Sequence, residues 1–287
     1  MQTTVEVLVV SYASHAVIAR LLDSVAAHVP GAGVAIREHA PDPAALAALE
    51  QVAAAAALPV RVEHDPSNPG FGAGCNALAA ASSADVFVLL NPDAEVVAWP
   101  WAETAPPTGY VVGPLMVDSG PPGEHYGRRY RIRDEIARSW LRRQPAAPDG
   151  SGYVSGAALL IDRTSFERLG GFDPGFFLFY EDIDLCLRAN AAGIPTVIEP
   201  RWQVRHSRHH STRSRFAQSL HWSYESARRF HGKHGSPVRA YAAYVVVDSV
   251  LRALLHTAAR RGDTARAYVS LAWRASGDVL RYRRPAV

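Results

Sequence analysis

Residues 5–12 read VEVLVVSY, an unbroken apolar run closed by two hydroxyl side chains. A run this short and this apolar suits a strand buried on both faces of a parallel sheet. The residues that follow keep to that reading. Val17–Val29 sets Ile18, Leu21, Leu22 and Val25 on one helical face, Val34–Glu38 is a second strand, and Pro43–Leu58 is an alanine-rich helix. Val60–His64 is a third strand, the turn-rich stretch Asp65–Asn76 leads into a helix through Ser82, and Asp85–Leu90 is a fourth strand closed by Asn91-Pro92-Asp93. Strands alternating with helices predict an α/β fold around a parallel sheet. Ligands of open α/β sheets bind at the carboxyl ends of strands, where Ser11, Tyr12, Glu38, Asp65 and Asp93 fall.

The chain of 287 residues is long enough for one large domain with an appendage, and 48% hydrophobic with 20% charged residues excludes a disordered chain. Two cysteines, Cys75 and Cys186, exclude a disulfide framework or a cysteine-rich zinc site. The start lacks signal-peptide character and no apolar run is long enough to span a bilayer, so a cytoplasmic location is expected. The net charge of +3 conceals an acidic body at −7 over residues 1–212 and a basic tail at +10 over residues 213–287. The tail reads as helical from Phe216, with apolar stripes in Tyr241–Leu255 and Ala265–Leu280. Packing on the body, pairing with a second copy, and contact with an anionic membrane at its inner face are all compatible with it. Nucleic-acid binding is not, because no basic motif interleaved with aromatics occurs.

Between Ala94 and Gly150 the pattern is irregular, with one strand expected at Tyr110–Val112 and arginines at 128, 129, 131 and 133. Tyr153–Ile161 reads as a strand, Arg163–Leu169 as a short helix, and Thr196–Glu199 as a late strand. Residues 170–188, GGFDPGFFLFYEDIDLCLR, set Glu181, Asp182 and Asp184 directly after Phe176, Phe177, Phe179 and Tyr180. Apolar neighbours raise a carboxylate's pKa toward the range of a general base, whereas an acidic first turn of the helix starting at Glu181 is the plainer reading. Asn68–Asn76, NPGFGAGCN, is a glycine-rich turn opening a helix, with Gly70, Gly72 and Gly74 allowing close backbone approach to a ligand; taken alone, an ordinary tight turn is the favoured reading. Asp93 suits a divalent cation bridging phosphates, or simply a turn. His206, His209, His210, His221 and His231 crowd the region after the last strand, and His206 is placed to complete an Asp/His metal site.

In order and spacing, these segments resemble the family 2 glycosyltransferases, and most closely their rhamnosyltransferase-like branch. The resemblance is carried by VVSYAS at 9–14, NPGFGAGCNALAAA at 68–81, LLNPDAEV, the long stretch at 152–193, and VRHSRHHST at 204–212. It implies a GT-A fold, Rossmann-like and mostly parallel, over residues 1–212, with residues 213–287 as a basic helical extension. It further implies an inverting transfer of a sugar from a dTDP- or UDP-linked donor, rhamnose being the family-based choice, to a hydroxyl of a glycan, lipid-linked glycan or metabolite. Mg²⁺ or Mn²⁺ would be held by Asp93, the last Asp of a DxD-like motif whose first position is Asn91 here, and by His206. Asp182 would be the general base and Glu181 its partner. Ser11, Tyr12, Glu38, Asn68, Gly70, Phe71, Gly72, Asn76, Asn91 and Gly156 would surround the nucleotide sugar, and the aromatics of 176–180 would wall the acceptor. Arg128, Arg129 and Arg208 are candidates for phosphate contact. One departure stands out: Glu38-His39 replaces the family's Asp-Asn after the second strand. It motivates the alternative of a non-catalytic sugar-nucleotide or glycan-binding relative. A nucleotidyltransferase, the third reading, lacks its early glycine- and arginine-rich loop here.

Overall fold

A computed structural model describes residues 3–117, 126–127, 132–141, 149–206 and 215–282. Arg128, Arg129, Arg131, Arg208, His209 and His210 lie outside the described residues. The N-terminal alternation runs β1 (Val5–Ser11), α1 (His15–His28), β2 (Gly33–Glu38), α2 (Pro43–Ala54), β3 (Val60–His64), α3 (Phe71–Ala80) and β4 (Val86–Leu90). β5 (Ala94–Ala98), β6 (Val111–Val117), β7 (Tyr126–Gly127), α4 (Ile132–Leu141), β8 (Asp149–Gly150), β9 (Tyr153–Val154) and β10 (Ala158–Asp162) follow. The chain closes with α5 (Arg163–Arg168), α6 (Glu181–Ala191), β11 (Thr196–His206), α7 (Phe216–Lys233), α8 (Val238–Ala258) and α9 (Gly262–Arg281).

The main sheet has the order β3-β2-β1-β4-β10-β6-β11-β5, with β8 pairing on β11, and β7 pairs separately with β9. β3, β2, β1 and β4 are mutually parallel, β6 is parallel to β11, and β10 runs antiparallel between β4 and β6. The register aligns Ser11 with Glu38 and Glu38 with His64, so three strand ends form one rim. The order reverses between β2-β1 and β4, which opens a crevice at that rim.

The period of two in each strand divides the core. Val86, Val88 and Leu90 of β4 join Ile18, Leu21, Leu49 and Trp202 on one face, while Phe87 and Leu89 join Phe166, Phe172 and Leu185 on the other. α7–α9 share the second of these cores through Tyr224, Phe230, Tyr241 and Leu271.

Three sequence expectations need correction. The strand foreseen at Tyr153–Ile161 is two strands, β9 and β10, separated by Ser155-Gly156-Ala157. The late strand does not stop at Glu199 but bulges between Glu199 and Gln203, moves on along β6 and β5, and ends at His206. The irregular stretch after Ala94 contributes β5 and a β6 extending to Val117. Its alternation was masked because β6 carries a glycine and a proline.

Opposite charges fasten α7 to α6 and to the loop before it. Asp184, wholly buried, accepts from Arg188 Nε at 2.8 Å and pairs with Lys233 Nζ at 2.7 Å and His234 Nε2 at 2.9 Å. Burial alone would raise this carboxyl, but the bonds from His234, Lys233 and Arg188 outweigh it and hold it well below the usual carboxylate range. A depressed folded-state pKa gives stability that is present above the unfolded value near 4 and lost as pH falls through the folded one. Asp184→Asn is therefore expected to cost ~3 kcal/mol at neutral pH by removing the buried charge on which Arg188, Lys233 and His234 converge. Chemical denaturation across pH should show the deficit shrinking on acidification; a constant deficit would refute the ionic account.

Candidate active site

Two helix starts meet at the rim. Gly70 precedes α3 at φ +102°, a conformation glycine supplies without steric cost, and a side chain there would lie 2.2 Å from the Phe177 carbonyl oxygen. The Phe71 N–H donates to that same oxygen at 3.0 Å. Within α3, a Cβ on Gly72 would meet the Phe172 side chain at 2.8 Å, and one on Gly74 would meet Val10 at 2.8 Å and His39 Nε2 at 2.9 Å. Asn76 bridges the backbone of Phe172, accepting its N–H and donating to its carbonyl, both at 2.8 Å. Besides the ligand-facing part expected of them, these glycines and Asn76 have a structural one. The helix starts earlier than foreseen, and the missing side chains make room for the 172–182 segment. Asn68, at φ +48°, and Phe71, packed edge-on to Phe172, stay nearer the rim.

That segment delivers the acidic pair. Phe179 and Tyr180 are both left-handed, at φ +71° and +67°, a strained arrangement costing ~1–3 kcal/mol each that turns the chain into α6. Phe176 and Tyr180 are buried in the core, so of the aromatic run only Phe177 and Phe179 are half-buried. α7 clamps the loop: Trp222 packs on Phe177 with ring centroids 4.9 Å apart, and the Ser226 hydroxyl donates to the Leu178 carbonyl at 2.8 Å.

Glu181 is buried and its Oε2 has no hydrogen-bond partner. Burial, reinforced by the Asp182 charge, pushes its carboxyl well above the usual range. Asp182 is half-buried, and burial raises its carboxyl too, but the N–H groups of Gly156 and Ile183, both at 2.8 Å, oppose the shift. Of the two, Glu181 is therefore the one that holds a proton more readily, a division set by environment. Gly156 matters for its bareness as well, since a Cβ there would sit 3.3 Å from Asp182 Cβ and 3.2 Å from the Phe71 ring.

Asp93 lies in the β4–β5 turn and His206 ends β11, and antiparallel pairing of His206 with Ala94 brings them together. His206 Nε2 is 3.1 Å from Asp93 Oδ1 and 3.3 Å from Asn91 Nδ2. A carboxylate oxygen and an imidazole nitrogen facing each other fit one divalent cation whose remaining ligands come from phosphate and water. No group of three or more such ligands occurs among the described residues. The Asn91 N–H donates to the Ala157 carbonyl at 3.0 Å, so the Asp93 turn is tied to the loop that holds Asp182.

At the other end of the rim Ser11 and Glu38, expected beside the nucleotide sugar, have internal partners. Both are buried. Glu38 accepts from the Ser11 hydroxyl at 2.6 Å and from the N–H groups of Ala13 at 2.9 Å and Ala40 at 2.7 Å. It braces the loops after β1 and β2 from beneath. Tyr12 remains at the surface of the rim, and there sequence reasoning missed a partner: Arg215 lies 4.4 Å over its ring and donates to its hydroxyl at 3.1 Å. No motif signals a contact across 203 residues. Asp65, at the β3 end, is held at about 2 by the Ser67 hydroxyl and the Arg37 guanidinium.

A mostly parallel sheet with this order, covered by helices on both faces and carrying its polar groups at one rim, is the GT-A architecture. Among solved structures it is similar to GalNAc-T7 bound to UDP, GalNAc and Mn²⁺, with TM-score 0.57 and 18% identity over 71% of this chain and 44% of that one. It is also similar to the mannosyltransferase PcManGT of Pyrobaculum calidifontis with GDP-Man and Mn²⁺, at TM-score 0.52 and 17% identity over 98% and 88% of the two chains. The family model described as glycosyltransferase like family 2 matches residues 2–225, and the chain belongs to that family. Rhamnosyltransferase WbbL of Escherichia coli K12 is 37% identical over 78 residues, 27% of this chain and 30% of that protein. An N-acetylglucosaminyl-diphospho-decaprenol L-rhamnosyltransferase of Mycobacterium tuberculosis is 43% identical over 61 residues, 21% of this chain and 20% of that one. The match thus spans less than a third of either relative's length.

Two outcomes test this geometry. Gly70→Ala should lower stability by ~2–4 kcal/mol, from a disfavoured φ together with a backbone clash, and an unchanged melting temperature would contradict the clasp. Glu181→Gln keeps the neutral shape. A raised carboxyl pKa favours the protonated folded state, so wild type loses stability as pH rises through it, and the variant's relative stability should grow with pH. A pH-independent difference in thermal melts would place the ionisation elsewhere.

Proposed function

We propose that the protein is an inverting, divalent-metal-dependent glycosyltransferase. The observation that carries this is the pairing of two chemistries on one rim: the Asp182 carboxylate held by Gly156, and the Asp93–His206 pair, joined through the Asn91–Ala157 hydrogen bond. In this reading residues 1–212 are the transferase domain and 213–287 its basic helical extension. The donor is a nucleoside diphosphate sugar, dTDP- or UDP-linked, lying along the crevice past Tyr12, Asn68 and Phe71, with Ser11, Glu38, Gly70, Gly72 and Asn76 shaping the floor beneath it. Rhamnose is favoured by two of the matched relatives, which are named as rhamnosyltransferases.

Asp182 removes the proton of an acceptor hydroxyl. The oxygen so freed attacks the anomeric carbon from the face opposite the nucleotide, and the bond to the diphosphate breaks with its electron pair leaving on phosphate oxygen. Neutral Glu181 keeps a second negative charge away from the incoming hydroxyl. Phe177 and Phe179 limit the access of water to the donor. Asp93 and His206 would hold Mg²⁺ or Mn²⁺, which when bound would supply positive charge for the leaving diphosphate. Glycan and lipid-linked glycan hydroxyls are the acceptor classes this arrangement serves.

Calorimetric titration with UDP, dTDP and GDP, each with Mn²⁺, Mg²⁺ or EDTA, tests the donor side. One diphosphate should bind only with metal, and Asp93→Ala should abolish that binding. Asp182→Asn should leave nucleotide affinity intact while lowering turnover ~10²–10⁴-fold. Full turnover in that variant would remove Asp182 from the chemistry. Binding without turnover in wild type, across acceptors, would favour the non-catalytic relative suggested by Glu38-His39.

A further inference from the structure

The outer faces of α8 and α9 are apolar where a solvated helix pair would be polar. On α8, Val247, Val250, Leu251, Leu254 and Leu255 follow helical spacing and are 44–63% exposed. On α9, Val269, Trp273 and Leu280 are 59%, 80% and 74% exposed. A groove of about 700 Å³ runs past Thr257, Arg266, Ser270 and Trp273. α4 extends the surface: Ile136 and Trp140 are exposed, and Arg252 of α8 lies 5.5 Å over the Trp140 ring. Of the twelve large apolar side chains exposed among the described residues, ten sit on these three helices, which makes a patch and not a scatter.

Charge selects the occupant. Residues 238–287 hold nine arginines against Asp248, Asp263 and Asp278. Each of those acids already faces an arginine of its own helix, Arg252, Arg266 and Arg274 respectively. Arg260 and Arg261, exposed at the turn between α8 and α9, have no ion-pair partner among the described residues. A second copy docking by the same face would oppose like charges, whereas anionic headgroups complement them. A highly exposed tryptophan among aliphatics and arginines is the composition of helices that lie in a headgroup layer. No helix among the described residues is long and apolar enough to cross a membrane.

We propose that α4, α8 and α9 form a docking face for an anionic lipid bilayer, the apolar side chains entering the acyl boundary and Arg260 and Arg261 meeting lipid phosphates. Behind the face, α4 is hydrogen-bonded to α8 and to the residue before the acidic pair. Glu135 of α4 accepts from the Tyr241 hydroxyl at 3.3 Å and from the Tyr180 hydroxyl at 3.4 Å, and Tyr180 immediately precedes Glu181 and Asp182.

Flotation of the full chain with vesicles of phosphatidylcholine alone, or of phosphatidylcholine and phosphatidylglycerol in equal parts, tests the proposal. The protein should float only with the anionic vesicles. Leu254→Ser/Leu255→Ser and Arg260→Glu/Arg261→Glu should each weaken partitioning roughly tenfold or more, with circular dichroism, melting and nucleotide titration unchanged. No flotation of wild type, equal flotation with neutral vesicles, or full retention in both variants would overturn it. So would a dimer in vesicle-free sedimentation equilibrium that Leu254→Ser/Leu255→Ser dissociates, since that assigns the face to a second copy.

Discussion

One close approach organises the site: the start of α3 pressed against the backbone of Phe177. Gly70 has no side chain to hold the two segments apart, the Phe71 N–H is spent on the Phe177 carbonyl, and Asn76 secures Phe172 one turn further on. A helix start normally leaves its first N–H groups to solvent, to a cap or to a ligand. Here one of them binds another part of the protein. The glycine-rich stretch and the acidic stretch, about a hundred residues apart in the chain, therefore form a single structural unit. The rim of the sheet and the acidic pair of α6 cannot move independently while it holds.

Electrostatics then divide the labour within that unit. Three carboxylates of one helical turn experience three environments. Asp184 faces inward to cations that hold its carboxyl well below the usual range, Glu181 is buried with its Oε2 unpartnered and its carboxyl pushed well up, and at Asp182 two backbone N–H groups oppose the upward push of burial. None of this comes from residue type, since Glu181 and Asp184 are both buried. It comes from what α7 and the Gly156 loop bring within reach. The basic character of the C-terminal helices is in part the counterpart of Asp173 and Asp184, to which Arg229, Lys233 and His234 are matched.

The parallel half of the sheet was legible because its strands are short, continuous and apolar, and its helices show one buried face. The position of NPGFGAGCN, of Asn91-Pro92-Asp93 and of Glu181-Asp182 at element ends could likewise be read from the sequence. What the glycines do was not legible, because a missing side chain looks the same whether its space is taken by ligand or by protein. Glu38 misled for a related reason. A carboxylate at a strand end suits a ligand, and only the fold shows three internal donors already on it. β10 was obscured by fusion with β9 into one apolar run, and the course of β11 by its bulge. The contact of Arg215 with Tyr12 is a product of tertiary structure alone.

The place of β10 has a consequence for how the chain is made. During synthesis β1 to β4 emerge first and can assemble from nearby contacts, yet β4 then ends the sheet with an open hydrogen-bonding edge. The strand that covers it arrives only at residues 158–162, antiparallel, and β6 gains its second neighbour only when residues 196–205 follow. A ribosome-bound nascent chain at that stage presents an apolar, unpaired strand, the kind of edge on which other chains add. Biogenesis thus depends on shielding one half-finished sheet until its central antiparallel strand is delivered.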